Sequence, residues 1–132
     1  MIFVAQKSSE ELCVSIKDIA EGTNAPAHFM AKIMQDLSKK KMVQSIKGPN
    51  GGFYIEKEKL SISLADIVTA IDGDGIYTDC VLGLKACSEK KPCPVHDEYK
   101  AIKKNLIRML EKNTIGEFNA KLDTGKFFLK TI

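Results

Sequence analysis

Near the N-terminus, apolar residues recur at helical spacing in two segments that a short turn separates. Ser15 and Asp18 have the spacing of a helix cap, and they predict a short helix that ends at Gly22. A second helix is predicted to begin at Pro26, because proline is compatible with the first helical turn. Its buried face is predicted to carry Phe29, Met30, Ile33, Met34 and Leu37. Two helices joined in this way are typical of a helix-turn-helix.

A β-hairpin is predicted directly after the second helix. Residues 42–47 and 53–55 have strand-like composition, and the glycine-rich residues 48–52 lie between them. Asn50 and Gly51 are predicted to supply the positive φ angles that a tight turn needs. A hairpin in this position is the wing of a winged helix-turn-helix.

The second half of the chain contains another capped helix and then the longest periodic segment. Ser63 and Asp66 predict the start of a helix that the glycine-rich run after Asp72 ends. Residues 97–113 predict a long amphipathic helix. Its apolar stripe comprises Tyr99, Ile102, Leu106, Met109 and Leu110. Because soluble monomers avoid a contiguous exposed apolar strip, we expect the same helix of a second copy to cover this stripe in a homodimer.

These elements define the predicted fold class as mainly α with a small β-hairpin wing, a winged helix-turn-helix plus a long C-terminal dimerisation helix. Short helices are also predicted at residues 2–7 and 115–122, and residues 127–129 are expected to pack onto the body. Within one compact unit, residues 1–60 form the predicted DNA-binding region. Residues 61–132 form the predicted cysteine-loop and dimerisation-helix region.

The composition is that of a folded protein. The chain has 132 residues, of which 44% are hydrophobic and 28% charged, and this excludes a largely disordered or low-complexity chain. No run is long and apolar enough for a membrane span, and the start of the chain lacks the features of a secretory signal. The sequence therefore predicts a cytoplasmic protein without a membrane partner.

The net charge of +3 is too small to indicate nucleic-acid binding, but the basic residues are clustered. His28, Lys32, Gln35 and Lys39 form one polar ridge on the second predicted helix. Most such ridges are only solvated faces, but the second helix of a helix-turn-helix is the one that enters the major groove. The predicted contacts with double-stranded DNA are Ala27, His28, Ala31, Lys32 and Gln35 on the helix, the phosphate-binding Lys39 and Lys47, and Pro49, Asn50 and Gly51 at the wing tip, near the minor groove.

Three of the four cysteines, Cys80, Cys87 and Cys93, fall within fourteen residues. In a reducing compartment such crowding favours metal binding or redox chemistry over disulfides. The gaps of six and five residues are longer than the close ligand pairs of most zinc sites. Three thiolates on a flexible loop suit a larger inorganic cluster, and His96 is a candidate fourth ligand. The alternatives are a zinc site, or exposed thiols with a surface or capping histidine.

Three features together resemble the Rrf2 family of bacterial transcription regulators. They are the wing KGPNGGFY, the helix segment SLADIVTAIDG that begins at Ser63, and the triple cysteine. The resemblance spans nearly the whole chain and implies a homodimeric DNA-binding regulator, with the repressor as the expected form. The family includes an iron-sulfur cluster regulator, a nitric-oxide-sensitive repressor and a cysteine-metabolism repressor, and the last of these lacks the three-cysteine loop.

The resemblance to the cluster-binding branch implies a 2Fe–2S or 4Fe–4S cluster held by Cys80, Cys87, Cys93 and His96. His96 matches a histidine that completes the site in the iron-sulfur cluster regulator. Ala31 replaces an acidic residue of that regulator, so its dual DNA selectivity is not implied. The family's first helix normally begins earlier than the one predicted here, and some relatives take a cluster ligand from that earlier stretch.

No nucleophile-base arrangement or phosphate loop is present in the sequence, so an enzyme is not expected. The main hypothesis is an operator-binding regulator whose DNA affinity an iron-sulfur cluster modulates in response to cluster status, nitric oxide or redox state. The alternative from another class is a thiol- or zinc-dependent interaction module without DNA binding.

Overall fold

The computed structural model describes residues 1–8 and 12–129, which form two compact units. Among the described residues, the first unit comprises residues 1–8, 12–62 and 113–129, and the second comprises residues 63–112. Helices α1 to α3 and strands β1 and β2 belong to the first unit, together with the last helix, α7. Their bounds are α1 Ile2–Lys7, α2 Ile16–Thr23, α3 Ala27–Lys39, β1 Gln44–Ile46, β2 Gly52–Tyr54 and α7 Ile115–Asp123.

Helix α2 begins where the cap pattern predicts and ends later than expected. The Ser15 hydroxyl accepts a hydrogen bond from the Asp18 backbone N–H at 3.1 Å. Gly22 lies inside the helix, and Asn24 ends it in the left-handed conformation with φ 52°. The prediction of an end at Gly22 is therefore wrong, because this glycine serves packing: an added Cβ would overlap the ring of Phe3.

Helix α3 packs into the core of the first unit through part of its predicted apolar face. Met34 and Leu37 are almost fully buried, and Met30 and Ile33 are half-buried. Phe29 is 55% exposed, so its assignment to the buried face is wrong. Phe29 lies in the first turn of α3, to the side of the face that Leu37 occupies.

The predicted wing forms as an antiparallel hairpin that also pairs with the segment before α2. In the hairpin, Ser45 lies opposite Phe53. Val14 and Phe53 exchange two backbone hydrogen bonds of 2.8 and 2.9 Å. The turn takes its positive φ at Gly48, with 114°, so the prediction that Asn50 and Gly51 supply the positive angles is wrong. A five-residue loop does not need the two consecutive positive φ angles of a two-residue hairpin turn.

The end of the chain returns to the first unit through α7. Thr114 and Glu117 form a complete capping box, and Ile115 is fully buried. The Ile115 N–H donates to the Ile62 carbonyl at 2.9 Å, just after a 3₁₀ helix at Lys57–Ser61. Residues 127–129 are exposed, so the expectation that they pack onto the body is wrong for the single chain.

The second unit contains α4 Leu64–Asp72, the short α5 Gly75–Thr78 and α6 His96–Lys112. Ser63 and Asp66 form the predicted capping box of α4. Helix α5 was not predicted; the Tyr77 hydroxyl connects it to α4 by donating to the Ala65 carbonyl at 3.1 Å. None of the helices in the described part of the chain combines the length and the apolar character that a membrane crossing requires.

The wing imposes a strict requirement at Gly52, which predicts the effect of one substitution. Gly52 has φ 157°, and an added Cβ would overlap the Val14 carbonyl oxygen. We expect Gly52→Ala to destabilise the fold by about 2 kcal/mol, because backbone atoms must separate. The exposed control Asn50→Ala should change stability by less than about 0.5 kcal/mol. Urea unfolding measures both, and equal stability of the two variants would contradict the prediction.

Candidate functional site

The polar ridge of α3 is presented to solvent along its whole length. His28, Lys32, Gln35 and Lys39 are all exposed. Ala27 at the start of the helix is also exposed, whereas Ala31 is half-buried. Since Met34 and Leu37 hold the opposite side of α3 in the core, the ridge has a fixed orientation relative to the first unit. We refer to these four polar residues as the α3 ridge.

The wing tip is similarly exposed and is attached to the same unit. Lys47, Pro49 and Asn50 are exposed, and Gly51 is half-buried with its N–H donating to the Gly48 carbonyl at 3.0 Å. Gly51 also lies close to the Ile46 carbonyl, where a Cβ would not fit. The tip is therefore narrow, as the approach to a minor groove requires.

Two side-chain contacts fix β1 beside the elements that flank it. The Ser38 and Ser45 hydroxyls are 3.4 Å apart and connect the end of α3 to β1. The Gln44 side chain accepts a hydrogen bond from the Glu56 backbone N–H at 3.2 Å. Together with the Val14–Phe53 pair, these contacts join the helix that carries the α3 ridge to the wing within the unit.

The basic side chains of this surface are not neutralised by neighbouring carboxylates. Within residues 1–8 and 12–129, Lys32, Lys39 and Lys47 form no ion pair. Each of the three is exposed. They are therefore available to phosphate groups, which contribute affinity without contributing sequence preference.

His96 is the most constrained of the candidate metal ligands. It begins α6 and is only 7% exposed, so the surface-histidine alternative does not describe it. Its Nδ1 lies 3.3 Å from the Cys87 Sγ, and its backbone N–H donates to the Cys93 carbonyl at 3.0 Å. Its Nε2 is buried without a hydrogen bond.

Glu89 and Lys100 connect the cysteine loop to α6 beside this histidine. A Glu89 carboxylate oxygen lies 3.6 Å from the His96 Nε2, and the other accepts a hydrogen bond from Lys100 at 2.6 Å. The hydrogen bond from Lys100 lowers the pKa of the Glu89 carboxyl below its usual range and raises that of Lys100. Both side chains are well exposed, so we expect this pair to position the loop more than to stabilise the fold.

The structure brings together only part of the predicted ligand set. All four cysteines are free thiols, with Cys87 exposed and Cys80 and Cys93 half-buried. Cys80 borders an open cavity of about 280 Å³ that Leu84 and Lys85 also line. No group of three or more His, Cys, Asp or Glu side chains in the described residues is arranged to hold a metal ion. Cys87 and His96 are adjacent, but Cys80 and Cys93 do not complete a site with them.

The contact between Glu89 and Lys100 and the exposure of Phe29 were not predicted from the sequence. Glu89 and Lys100 are eleven positions apart, so no helical periodicity connects them. The only sequence signal for Glu89 was a lone acidic residue among lysines between two cysteines. Phe29 was assigned to the core because its spacing fits the apolar stripe, and spacing alone does not show where that stripe ends.

Comparison with known proteins identifies relatives along most of the chain. A family model described as Rrf2, iron-dependent transcriptional regulator, matches residues 1–121. A protein of Aquifex aeolicus named as an HTH-type transcriptional regulator is 36% identical over 104 residues, which cover 77% of this chain and 72% of the relative. The HTH-type transcriptional regulator IscR of Escherichia coli K12 is 27% identical over 110 residues, covering 83% of this chain and 67% of the relative.

Solved structures share the fold at lower sequence identity. The T. potens IscR structure has a TM-score of 0.71 at 20% identity and covers 98% of this chain and 85% of its own. The structure of CymR, the global cysteine regulator of B. subtilis, has a TM-score of 0.68 at 21% identity, with 91% and 87% covered. These likenesses confirm the predicted fold class, mainly helical with a small two-stranded wing.

Proposed function

Because the chain belongs to the Rrf2 family of transcriptional regulators, we propose that it binds a double-stranded DNA operator as a homodimer and that an iron-sulfur cluster modulates this binding. The family assignment makes the protein a transcription regulator and not an enzyme. The operator, the dimer and the cluster are the parts that the proposal adds.

The observation that supports DNA binding is the joint position of the α3 ridge and the wing within one unit. The first turn of a recognition helix reaches base edges in the major groove, which assigns base contacts to Ala27, His28, Ala31 and Lys32, with Gln35 one turn further along. Lys39 and Lys47 are exposed and unpaired and would neutralise phosphates. The narrow tip with Pro49, Asn50 and Gly51 would approach the minor groove.

Apolar residues that a single chain leaves uncovered on α6 support the homodimer. Ile102 is 63% and Met109 is 50% exposed, and Tyr99 and Leu106 are half-buried. Leu110 is already buried in the single chain, so a second copy would add little cover to it. A second copy of α6 would cover Ile102, Leu106 and Met109 at once, because i, i+4 and i+7 positions share one helix face.

The donor set of the cysteine loop supports a cluster. Cys80, Cys87 and Cys93 are free thiols, and thiolate sulfur is the preferred ligand of iron-sulfur clusters. The family model is described as iron-dependent. The contact of Cys87 with His96 brings a sulfur and a nitrogen donor together, and the buried His96 Nε2 forms no hydrogen bond, with the Glu89 carboxylate 3.6 Å away. These residues fit the group in chemistry, although Cys80 and Cys93 would have to move to complete the site.

A cluster in this loop would act on DNA binding through α6. Held by Cys80, Cys87, Cys93 and His96, a cluster would supply a redox-active centre sensitive to oxygen and nitric oxide. The loop leads without interruption into α6 through His96, so ordering of the loop would bias the orientation of the proposed dimer helix. The cluster can shift the protein between a DNA-binding arrangement and one that does not bind DNA only by the difference in its affinity for the two. A graded change in operator affinity is therefore expected.

Zinc is the second candidate occupant of the loop. Zinc accepts imidazole nitrogen and thiolate sulfur in a compact tetrahedral site, and the short distance between Cys87 and His96 suits such an ion. A zinc site would make the loop a structural or thiol-dependent element. It would leave the proposed DNA surface unchanged.

The residues proposed to contact bases and the lysines proposed to contact phosphates should respond differently to substitution. We expect Lys32→Ala or His28→Ala to change which operator sequences are preferred, because these side chains face base edges. Lys47→Ala or Lys39→Ala should weaken binding to all sequences alike and lower the salt slope by roughly one unit per lost phosphate contact. Fluorescence anisotropy over a range of salt concentrations measures both effects. An altered sequence preference for Lys47→Ala with an unchanged salt slope would contradict this division.

The proposed dimer predicts the effect of a charge on α6. Leu106→Asp should dissociate the dimer and lose tight operator binding at the same time, since a single half-site contributes too little affinity. Lys104→Asp introduces the same side chain at an exposed position of the same helix and should leave the dimer intact. Analytical ultracentrifugation measures the association. A stable monomer of the unmodified protein at micromolar concentration would refute the dimer.

If the loop holds an iron-sulfur cluster, the protein should absorb visible light, and this absorbance should depend on the three cysteines. Protein purified without oxygen should be brown, should bleach with oxygen or nitric oxide, and should lose the colour when Cys80, Cys87 or Cys93 is replaced by Ala. His96→Ala should weaken cluster retention, whereas Cys13→Ala, a thiol far from the loop in sequence, should leave the spectrum unchanged. Iron and sulfide analysis with visible spectroscopy provides the measurement. One zinc per chain without visible absorbance would favour the second candidate instead.

A further inference from the structure

Phe29 lies apart from the apolar residues that pack α3 into its unit. Its side chain is 55% exposed, whereas Met34 and Leu37 on the same helix are buried. A single exposed apolar side chain is common on protein surfaces and does not by itself indicate a function. Phe29, however, lies in the part of α3 that we propose contacts DNA, so its exposed ring is available for such a contact.

Phe29 occupies the first turn of the helix that we propose to enter the major groove. Helix α3 begins at Ala27, so Phe29 follows His28 with a rotation of about 100° and borders the α3 ridge. Lys32 lies one turn further along the same side. Because helical side chains lean toward the N-terminus, the ring is directed to the end of α3 that reaches base edges.

The chemistry of the ring restricts what it can recognise there. A phenyl ring has no hydrogen-bond donor or acceptor, and the apolar group that base pairs present in the major groove is the C5 methyl of thymine. The exposed His28 and Lys32 beside the ring supply the polar contacts to base edges. We infer that Phe29 contacts a thymine methyl group in each operator half-site and sets sequence preference at that position. This inference rests on the proposed DNA binding.

Removal of single methyl groups from the operator tests this contact. An operator is first selected from a random duplex pool, and each of its thymines is then replaced in turn by deoxyuridine, which lacks the C5 methyl and retains base pairing. We expect one thymine per half-site to respond, with affinity about fourfold weaker for one half-site and about fifteenfold weaker when both are replaced. Fluorescence anisotropy measures the affinities.

The matching protein variant should remove the same sensitivity. Phe29→Ala should weaken binding to the thymine operator by a similar factor and should bind the thymine and deoxyuridine operators equally, because the contact is already lost. Phe29→Leu keeps an apolar side chain and should retain part of the sensitivity. Phe128→Ala removes an exposed ring outside α3 and should retain all of it. The melting temperature of each variant should stay close to that of the unmodified protein.

Each other outcome has a distinct meaning. Equal affinity of the unmodified protein for every deoxyuridine operator overturns the thymine contact while leaving DNA binding intact. A Phe29→Ala variant that binds more weakly but keeps its deoxyuridine sensitivity also overturns it, and assigns the ring to the sugar-phosphate backbone or the second subunit. Failure of the unmodified protein to select any DNA sequence overturns the proposed function. The thymine contact of Phe29, which rests on that function, is then overturned as well.

Discussion

The two backbone hydrogen bonds between Val14 and Phe53 fix the relation between the wing and the helix-turn-helix. They join residues far apart in sequence, one directly before α2 and the other in β2. A hairpin of two three-residue strands is marginal alone, so this extra pairing supplies the support that short strands need. The close approach requires Gly52, where no side chain would fit. The proposed DNA surface depends on this constraint because the α3 ridge and the wing tip are joined through it.

Charge on this protein is concentrated, although its total is small. With a net charge of +3, a uniform distribution would give little attraction to a polyanion. The exposed Lys32, Lys39 and Lys47 instead lie on α3 and at the base of the wing tip. In the proposed complex these lysines would make the affinity salt-dependent, and sequence preference would come from the fewer side chains in the first turn of α3.

In the second unit, the burial of His96 connects the cysteine loop to α6. The imidazole contacts Cys87 through one nitrogen and faces the Glu89 carboxylate with the other. Ser88 adds order between the cysteines, because its hydroxyl accepts hydrogen bonds from the backbone of Lys90 and Lys91 at 3.2 Å. Any change in what Cys87 binds would thus alter the contacts of His96 in the first turn of α6. The coupling that the proposed sensor needs is local and runs through one side chain.

The sequence by itself determined the elements whose signals are local, and tertiary structure decided the rest. Ser15 with Asp18 and Ser63 with Asp66 specify helix starts through contacts three residues apart, so both starts were predictable, as was the exposed α3 ridge. The roles of Gly22 and Gly52 depend on Phe3 and Val14, and the exposure of Phe29 depends on where the core ends. The contacts of His96 with Cys87 and Glu89 join a loop to a helix. Such contacts arise from chain packing, which residue spacing does not encode.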